Sequence, residues 1–166
     1  LISSFVLLSA IALNNLNKPL GSTQGDIISS KIEHSAVIDT LEYLKERFAF
    51  NVTYVNNDKY GIIDIDHLKS SITDDTFLIC IMHANNEIGV LNDIHTIAEI
   101  ANEKGILLHT DAVQSFGKTH YKIDKLNCGL ASFSAHKIYC PKGIGALYIK
   151  QGTQIDKLIH GGKQER

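Results

Sequence analysis

The run Ser132-Phe133-Ser134-Ala135-His136-Lys137 sets a hydroxyl, an imidazole and an amine side by side, directly after a short apolar stretch. Residues 129–134 read as a buried strand, so Lys137 emerges where the chain leaves a sheet. Open α/β sheets hold ligands at that edge. A lysine partly desolvated there, near other positive groups, has its pKa pushed down and acts as a Schiff-base nucleophile. Taken alone the run reads as a solvated loop lysine, because so short a motif matches by chance.

A second segment, His109-Thr110-Asp111-Ala112-Val113-Gln114, closes another short apolar strand, residues 106–108, and supplies a carboxylate and, three residues on, an amide. Pyridoxal phosphate needs a lysine for its aldehyde and an acidic partner for its ring nitrogen, and Lys137 and Asp111 suit those two parts. Between them, residues 121–124 read as a further strand, which would put both on neighbouring strand ends. A third segment, His83-Ala84-Asn85-Asn86-Glu87-Ile88-Gly89, follows the apolar strand of residues 77–82.

With these segments in order, and with Lys31-Ile32-Glu33-His34-Ser35-Ala36-Val37 upstream and Pro141-Lys142-Gly143-Ile144-Gly145 downstream, the chain resembles the cysteine desulfurases, pyridoxal-phosphate enzymes of the class V aminotransferase group. The resemblance covers residues 25–166, and several ordered motifs make it far more specific than any one. It implies that Lys137 bonds the cofactor aldehyde and that Asp111 pairs with the ring nitrogen. Gln114 would hydrogen-bond the phenolic oxygen, with Asn86 near the ring and the substrate carboxylate. Ser134 and His136 look like phosphate ligands. His34 is similar to the family histidine that stacks on the ring and helps move protons. An imidazole that titrates near neutrality and a hydroxyl that donates to phosphate suit those parts chemically.

The implied reaction removes sulfur from L-cysteine to give alanine and an enzyme persulfide, for iron–sulfur clusters or another acceptor. Implied partners are the small-molecule substrate, a sulfur-acceptor or scaffold protein, and a second copy of the chain or a companion polypeptide. Selenocysteine lyase and other class V enzymes share much of this apparatus. A non-catalytic remnant or interaction module that keeps the fold core is a reading of another kind.

Three departures accompany the resemblance. The family usually has glycine where Cys140 stands and an acidic residue where Gly129 stands, and Lys163 occupies a variable place. Family members are also much longer. A Gly-Ala-Thr-Glu type phosphate loop, the substrate-carboxylate arginine and the mobile cysteine loop find no match here. The expectation is a single incomplete cofactor-binding large domain over residues 1–166, with 1–24 unmatched, as in a fragment or a split or decayed reading frame.

Composition fits an ordinary core-forming chain: 166 residues, 44% hydrophobic and 20% charged, enough for one core and short for two. A net charge of −2 and scattered Lys and Arg give no electrostatic case for nucleic acid. Three cysteines with no close pair suit a reducing compartment, so the expected place is the cytoplasm. Apolar residues 1–13 lack a basic leader and fall short of the roughly 20 residues needed to cross a bilayer, so a buried helix is expected and no membrane partner.

The elements that must position these groups alternate in type. Strands are expected at 26–30 and 51–55, with a turn at Asn56-Asn57-Asp58. Between them, residues 34–48 place Val37, Leu41, Leu44 and Phe48 on one helical face. A short helix at 64–72 turns Ile65, Leu68 and Ile72 inward. Asn92 caps a helix running to Lys104 with Ile94, Ile97, Ala98 and Ala101 on one face, and Gly105 ends it. Such alternation implies βαβ units: an α/β fold, a mostly parallel sheet flanked by helices, the core of a pyridoxal-phosphate transferase large domain.

Other residues carry plainer readings. Cys80 alternates within an apolar strand and is core. Cys128 and Cys140 flank the lysine strand as exposed thiols or filler. Gly143 and Gly145 after a proline read as a turn. His83, His109 and His136 with Asp111 raise a metal site and a metal-dependent hydrolase, but none has the i,i+4 helical spacing of a zinc pair, and no metal is expected.

Overall fold

The computed structural model describes residues 25–155, so the helix expected over residues 1–13 lies outside the described part. Five strands run parallel: β1 (Asp26–Ser30), β2 (Asn51–Val55), β3 (Thr76–Cys80), β4 (Leu107–Asp111) and β5 (Leu130–Ser134). A sixth, β6 (Gly145–Ile149), pairs antiparallel with β5, and the order across the sheet is β2-β1-β3-β4-β5-β6. Crossover helices are α1 (Ser35–Phe48), α2 (Ile65–Ser71) and α3 (Ile94–Glu103).

The period-two alternation of the strands sorts their side chains onto two faces. Ile27, Leu78 and Cys80 pack with Val37, Leu41 and Leu44 of α1 on one face. Ile28, Ile79, Ile81, Leu108 and Ala131 pack with Leu68 of α2 and with Ile94, Ile97, Ala98 and Ala101 of α3 on the other. The sheet is therefore covered on both sides, as parallel pairing requires. β1 leads outward to β2, and the chain then returns across β1 to β3, so the winding reverses between β1 and β3. That reversal is where doubly wound sheets open a ligand crevice.

Several local expectations change. Residues 121–124 form no strand; the chain there enters a 3-10 turn at Ile123–Leu126, and β4 and β5 pair directly without an intervening strand. The helix α3 is capped by Asp93, whose side chain accepts from Thr96 N at 3.1 Å, and not by Asn92. Asn92 is buried instead, accepting from Ile63 N at 3.1 Å and donating to Met82 O at 2.9 Å, which joins two loops to the end of β3. Phe48 faces outward, packed edge-on against Tyr43, because α1 ends there and its inner face is already filled by Leu41 and Leu44. The turn expected at Gly143 and Gly145 is present at Gly143, with φ of 90°, but from Gly145 the chain returns along β5 as β6, a strand the sequence reading does not include. No helix among the described residues is long and apolar enough to cross a membrane.

Ile97 is wholly enclosed, whereas Glu99 on the outer face of α3 is exposed. Ile97→Ala should lower unfolding free energy by about 2–5 kcal/mol, and Glu99→Ala should change it by under about 0.5 kcal/mol, both read from urea unfolding. Equal losses would contradict the packing of α3 on the sheet.

Candidate functional site

The carboxyl ends of β1, β3, β4 and β5 border a cavity of about 520 Å³. Its lining includes His34, Asn86, Asp111, Gln114, Ser134, His136 and Lys137, so all seven residues singled out from sequence come together in one place. Met82, Val113 and Phe133 give it apolar walls, and the turn Lys142-Gly143-Ile144-Gly145 forms a further side.

Each group is held by a local device. Asp111 ends β4; its Oδ1 accepts from Val113 N at 2.9 Å, which bends the chain away and leaves the buried carboxyl at the floor. One turn on, Gln114 lines the wall, its Oε1 accepting from Lys118 Nζ at 2.9 Å, so its amide N–H bonds remain for a ligand. The amide orientation follows from that bond. His34 is the N-cap of α1: its Nδ1 accepts from Ala36 N at 3.1 Å, which places the ring proton on Nε2.

Asn86 is exposed on a loop that its neighbour Asn85 holds in shape. Asn85 Nδ2 donates to Ile32 O at 2.7 Å, and Asn85 Oδ1 accepts from Glu87 N and Ile88 N at 2.8 and 2.9 Å. Beyond β5, a 3-10 turn at Ala135–Ile138 carries His136 and Lys137, closed by Tyr139 at φ of 66°. Ser134 Oγ and His136 Nδ1 lie 2.8 Å apart. Lys137 is exposed on the cavity wall and not desolvated as its sequence setting suggested, because this turn carries it beyond the sheet edge.

Beneath the cavity runs a buried polar row on the α1 face. Ser29 Oγ donates to Cys80 O at 2.8 Å, Cys80 Sγ lies 3.0 Å from His109 Nδ1, and His109 Nε2 lies 2.7 Å from Ser132 Oγ. Burial lowers His109 to about 4 and raises the Cys80 thiol, so both are neutral at ordinary pH. His83 packs edge-on against Tyr121 on the other face, its pKa lowered by burial. His136 shares the cavity with Asp111 whereas His83 and His109 are buried outside its lining, and among the described residues no three His, Cys, Asp or Glu side chains form a metal-holding group. Cys128 is buried and Cys140 exposed.

Sequence reasoning missed Phe133 and Lys142 in the cavity lining, and Glu33 and Asn85 as supports of the segments behind it. Phe133 and Lys142 stood inside quoted motifs. Glu33 and Asn85 sit beside singled-out residues, and only the backbone groups they hold reveal their work.

The donor set fits pyridoxal phosphate. A carboxylate lies at the floor for a ring nitrogen, a hydroxyl and an imidazole stand together for a phosphate, and an amine lies beside them, in a cavity of the size small cofactors fill.

The sequence profile of the class V aminotransferases matches residues 8–166, and the chain belongs to that family, whose members include pyridoxal-phosphate-dependent cysteine desulfurases. Among its relatives, the cysteine desulfurase IscS of Dictyoglomus turgidum is 51% identical over 145 residues, 87% of this chain and 36% of that protein. The IscS of Methanosarcina thermophila is 52% identical over 140 residues, 84% of this chain and 34% of that one. Of solved structures, a NifS-like protein superposes with a TM-score of 0.87 at 38% identity, covering 99% of this chain and 45% of its own. SspA in complex with cysteine does so at 0.86 and 39% identity, covering 98% and 46%. The chain thus spans about a third of the length of the curated relatives it matches.

His34 has two separable tasks, capping α1 and walling the cavity. His34→Ala should cost about 1 kcal/mol of stability, whereas His34→Asn, a good cap, should restore most of it. Thermal or urea unfolding of the two variants decides the point, and equal losses would remove the cap from the account.

Proposed function

We propose that this chain holds pyridoxal 5'-phosphate at its strand ends and is the cofactor-binding core, residues 1–166 as one unit, of a cysteine desulfurase acting on L-cysteine. The observation that carries the reading is the convergence of Lys137, Asp111, Gln114, Asn86, Ser134, His136 and His34 on one cavity. Bound there, pyridoxal phosphate supplies a protonated ring that draws electrons from the substrate's α-carbon. Asp111 holds the proton on the ring nitrogen, and its burial keeps that ion pair strong. The Gln114 amide orients the phenolic oxygen, and Ser134 with His136 anchors the phosphate. Lys137 would hold the aldehyde, and its amine would be the base that moves the α-proton. His34, its proton on Nε2, would face the ring and share in that transfer. Asn86 approaches the substrate carboxylate.

In the overall reaction the substrate's carbon–sulfur bond breaks as sulfur bonds to an enzyme cysteine, leaving alanine and a persulfide. The persulfide sulfur then passes to an acceptor or scaffold protein that builds iron–sulfur clusters or other sulfur compounds. A second copy of the chain or a companion polypeptide would complete the assembly. Three free thiols support a reducing setting, so the cytoplasm is the proposed place.

With pyridoxal phosphate added, the purified chain should turn yellow, and borohydride should fix the cofactor on Lys137 with no other lysine labelled. Lys137→Ala should abolish the band, and Asp111→Ala should leave a weaker, shifted one, because the ring nitrogen loses its counter-ion. An unlabelled Lys137 at saturating cofactor would favour a non-catalytic remnant.

None of the three cysteines is placed to take the sulfur. Burial raises the thiols of Cys80 and Cys128, the latter to about 11, and Cys140 lies outside the cavity lining. The chain by itself should therefore release negligible alanine and sulfide from cysteine, and Cys140→Ser should leave the yellow band unchanged. Robust turnover lost with one cysteine substitution would identify a different nucleophile.

A further inference from the structure

Two acids are buried among the described residues, Asp111 and Glu33, each 6% exposed. Asp111 has its part as counter-ion, whereas Glu33 stands one residue before the cavity wall at His34 with no part assigned. Glu33 Oε1 accepts twice, from Met82 N at 2.8 Å and from Ser30 Oγ at 3.0 Å, so the carboxyl clamps the end of β1 to the segment leaving β3. Glu33 Oε2 is enclosed and has no hydrogen-bond partner among the described residues. An anion with one oxygen unmet there is costly, whereas the acid form leaves only one O–H unpaired.

We propose that Glu33 is a positioning residue for Asp111: its clamped carboxyl stays uncharged, so the two buried acids carry a single negative charge and that charge sits on Asp111. The proposal deepens the cofactor reading and rests on it for the part played by Asp111. A second anion here would favour a protonated Asp111 and so spoil the counter-ion.

Burial pushes Glu33 up to about 8; the Met82 N–H and Ser30 hydroxyl oppose this, and the Asp111 charge adds to it. Among the described residues the facing groups are few. Cys80 on β3 feels both carboxyls, and its thiol is raised by burial first and by their charges second. His109 on β4 touches Cys80 Sγ and is held neutral by burial, and α1 offers only the exposed His34.

The test is unfolding of the cofactor-free 166-residue chain from pH 5 to pH 9, wild type against Glu33→Gln, in which the amide oxygen still accepts from Met82 and Ser30. Glu33 titrates at its ordinary 4.5 when unfolded and at about 8 when folded. Between those values the folded state holds the extra proton, so wild-type stability falls as pH rises and levels off above about 8. The folding constant of Glu33→Gln relative to wild type should rise about tenfold per pH unit across that window. His109 contributes equally to both chains and cancels. In an Asp111→Asn background the levelling should move to lower pH, because the opposing anion is gone.

A flat ratio overturns the proposal, and so does a levelling point that Asp111→Asn leaves unmoved. Should Glu33→Gln fail to fold, the carbon-13 shift of the Glu33 carboxyl in wild-type and Asp111→Asn chains reads the same titration, and a midpoint near 4.5 overturns it. At pH 7 Glu33→Gln should take up pyridoxal phosphate with unchanged affinity; a tenfold loss would mean that the charged form is the working one. A chain with the expected pH profile and no visible band keeps the charge assignment and loses the cofactor reading.

Discussion

Parallel pairing of β1, β3, β4 and β5 is the constraint on which the site depends. Parallel strands all end at one edge, so groups far apart in sequence arrive side by side: His34 after β1, Met82 after β3, Asp111 closing β4, Ser134 closing β5. The register makes this specific. Cys80 stands opposite His109 and Asp111 opposite Ser132, so the row of cavity groups lies two residues above the buried polar row. A one-residue slip of β4 would turn Asp111 to the α3 face, among Ile79, Ala98 and Ala131. Apolar packing on both faces forbids that slip, and so the hydrophobic pattern fixes the chemistry indirectly.

The polar row is an unusual choice for the middle of a parallel sheet. Cys80, His109 and Ser132 are fully enclosed, and an apolar row of the same shape would avoid the cost of burying them. Each is satisfied by the next, which makes the row a set of mutually required partners across three strands. Its protons also point opposite ways with pH: neutral His109 loses stability to the unfolded chain as pH falls from 6.5 towards 4, and neutral Glu33 loses it as pH rises from 4.5 towards 8. The layer under the cavity, with Cys80, His109 and Glu33, is thus uncharged near neutral pH.

Most of the framework was legible in the sequence because periodicity and punctuation act locally. Val37, Leu41 and Leu44 of α1, the inward face of α3 and the buried Cys80 follow from spacing and residue type, whereas the turn expected at Asn56-Asn57-Asp58 falls at Lys59-Tyr60, past a bridge of Asn57 to Ile63. The motif residues of the cavity were legible for a different reason, resemblance, which carried their order before any geometry was known. What escaped was long-range. Asn92 was read as a cap because a helix follows it, yet its amide serves backbone groups at Ile63 and Met82. Glu33 was passed over beside His34, since its partner Met82 lies 49 residues away. β6 escaped because its short apolar run, Ala146-Leu147-Tyr148-Ile149, follows a glycine turn and does not by itself separate strand from helix.

The two departures around the lysine loop now have a physical reading. Cys140 stands where the family usually has glycine, but left-handed backbone in this loop falls on Tyr139 and Gly143, not on residue 140. A side chain at 140 therefore strains nothing, and the thiol points to solvent. Gly129 replaces an acidic residue, and a Cβ there would come within 2.5 Å of Leu107 Cδ1 and 3.5 Å of Leu108 O. Only the flexible tip of Leu107 needs to give way, so the site accepts either residue once that side chain repacks. Both departures leave untouched the backbone bonds that aim Ser134, His136 and Lys137: Ala135 N to Ile144 O at 3.1 Å and Cys140 N to Ala135 O at 3.2 Å. The geometry of the lysine loop is set by those bonds and by the left-handed Tyr139, and residue 140 contributes its amide whatever its side chain.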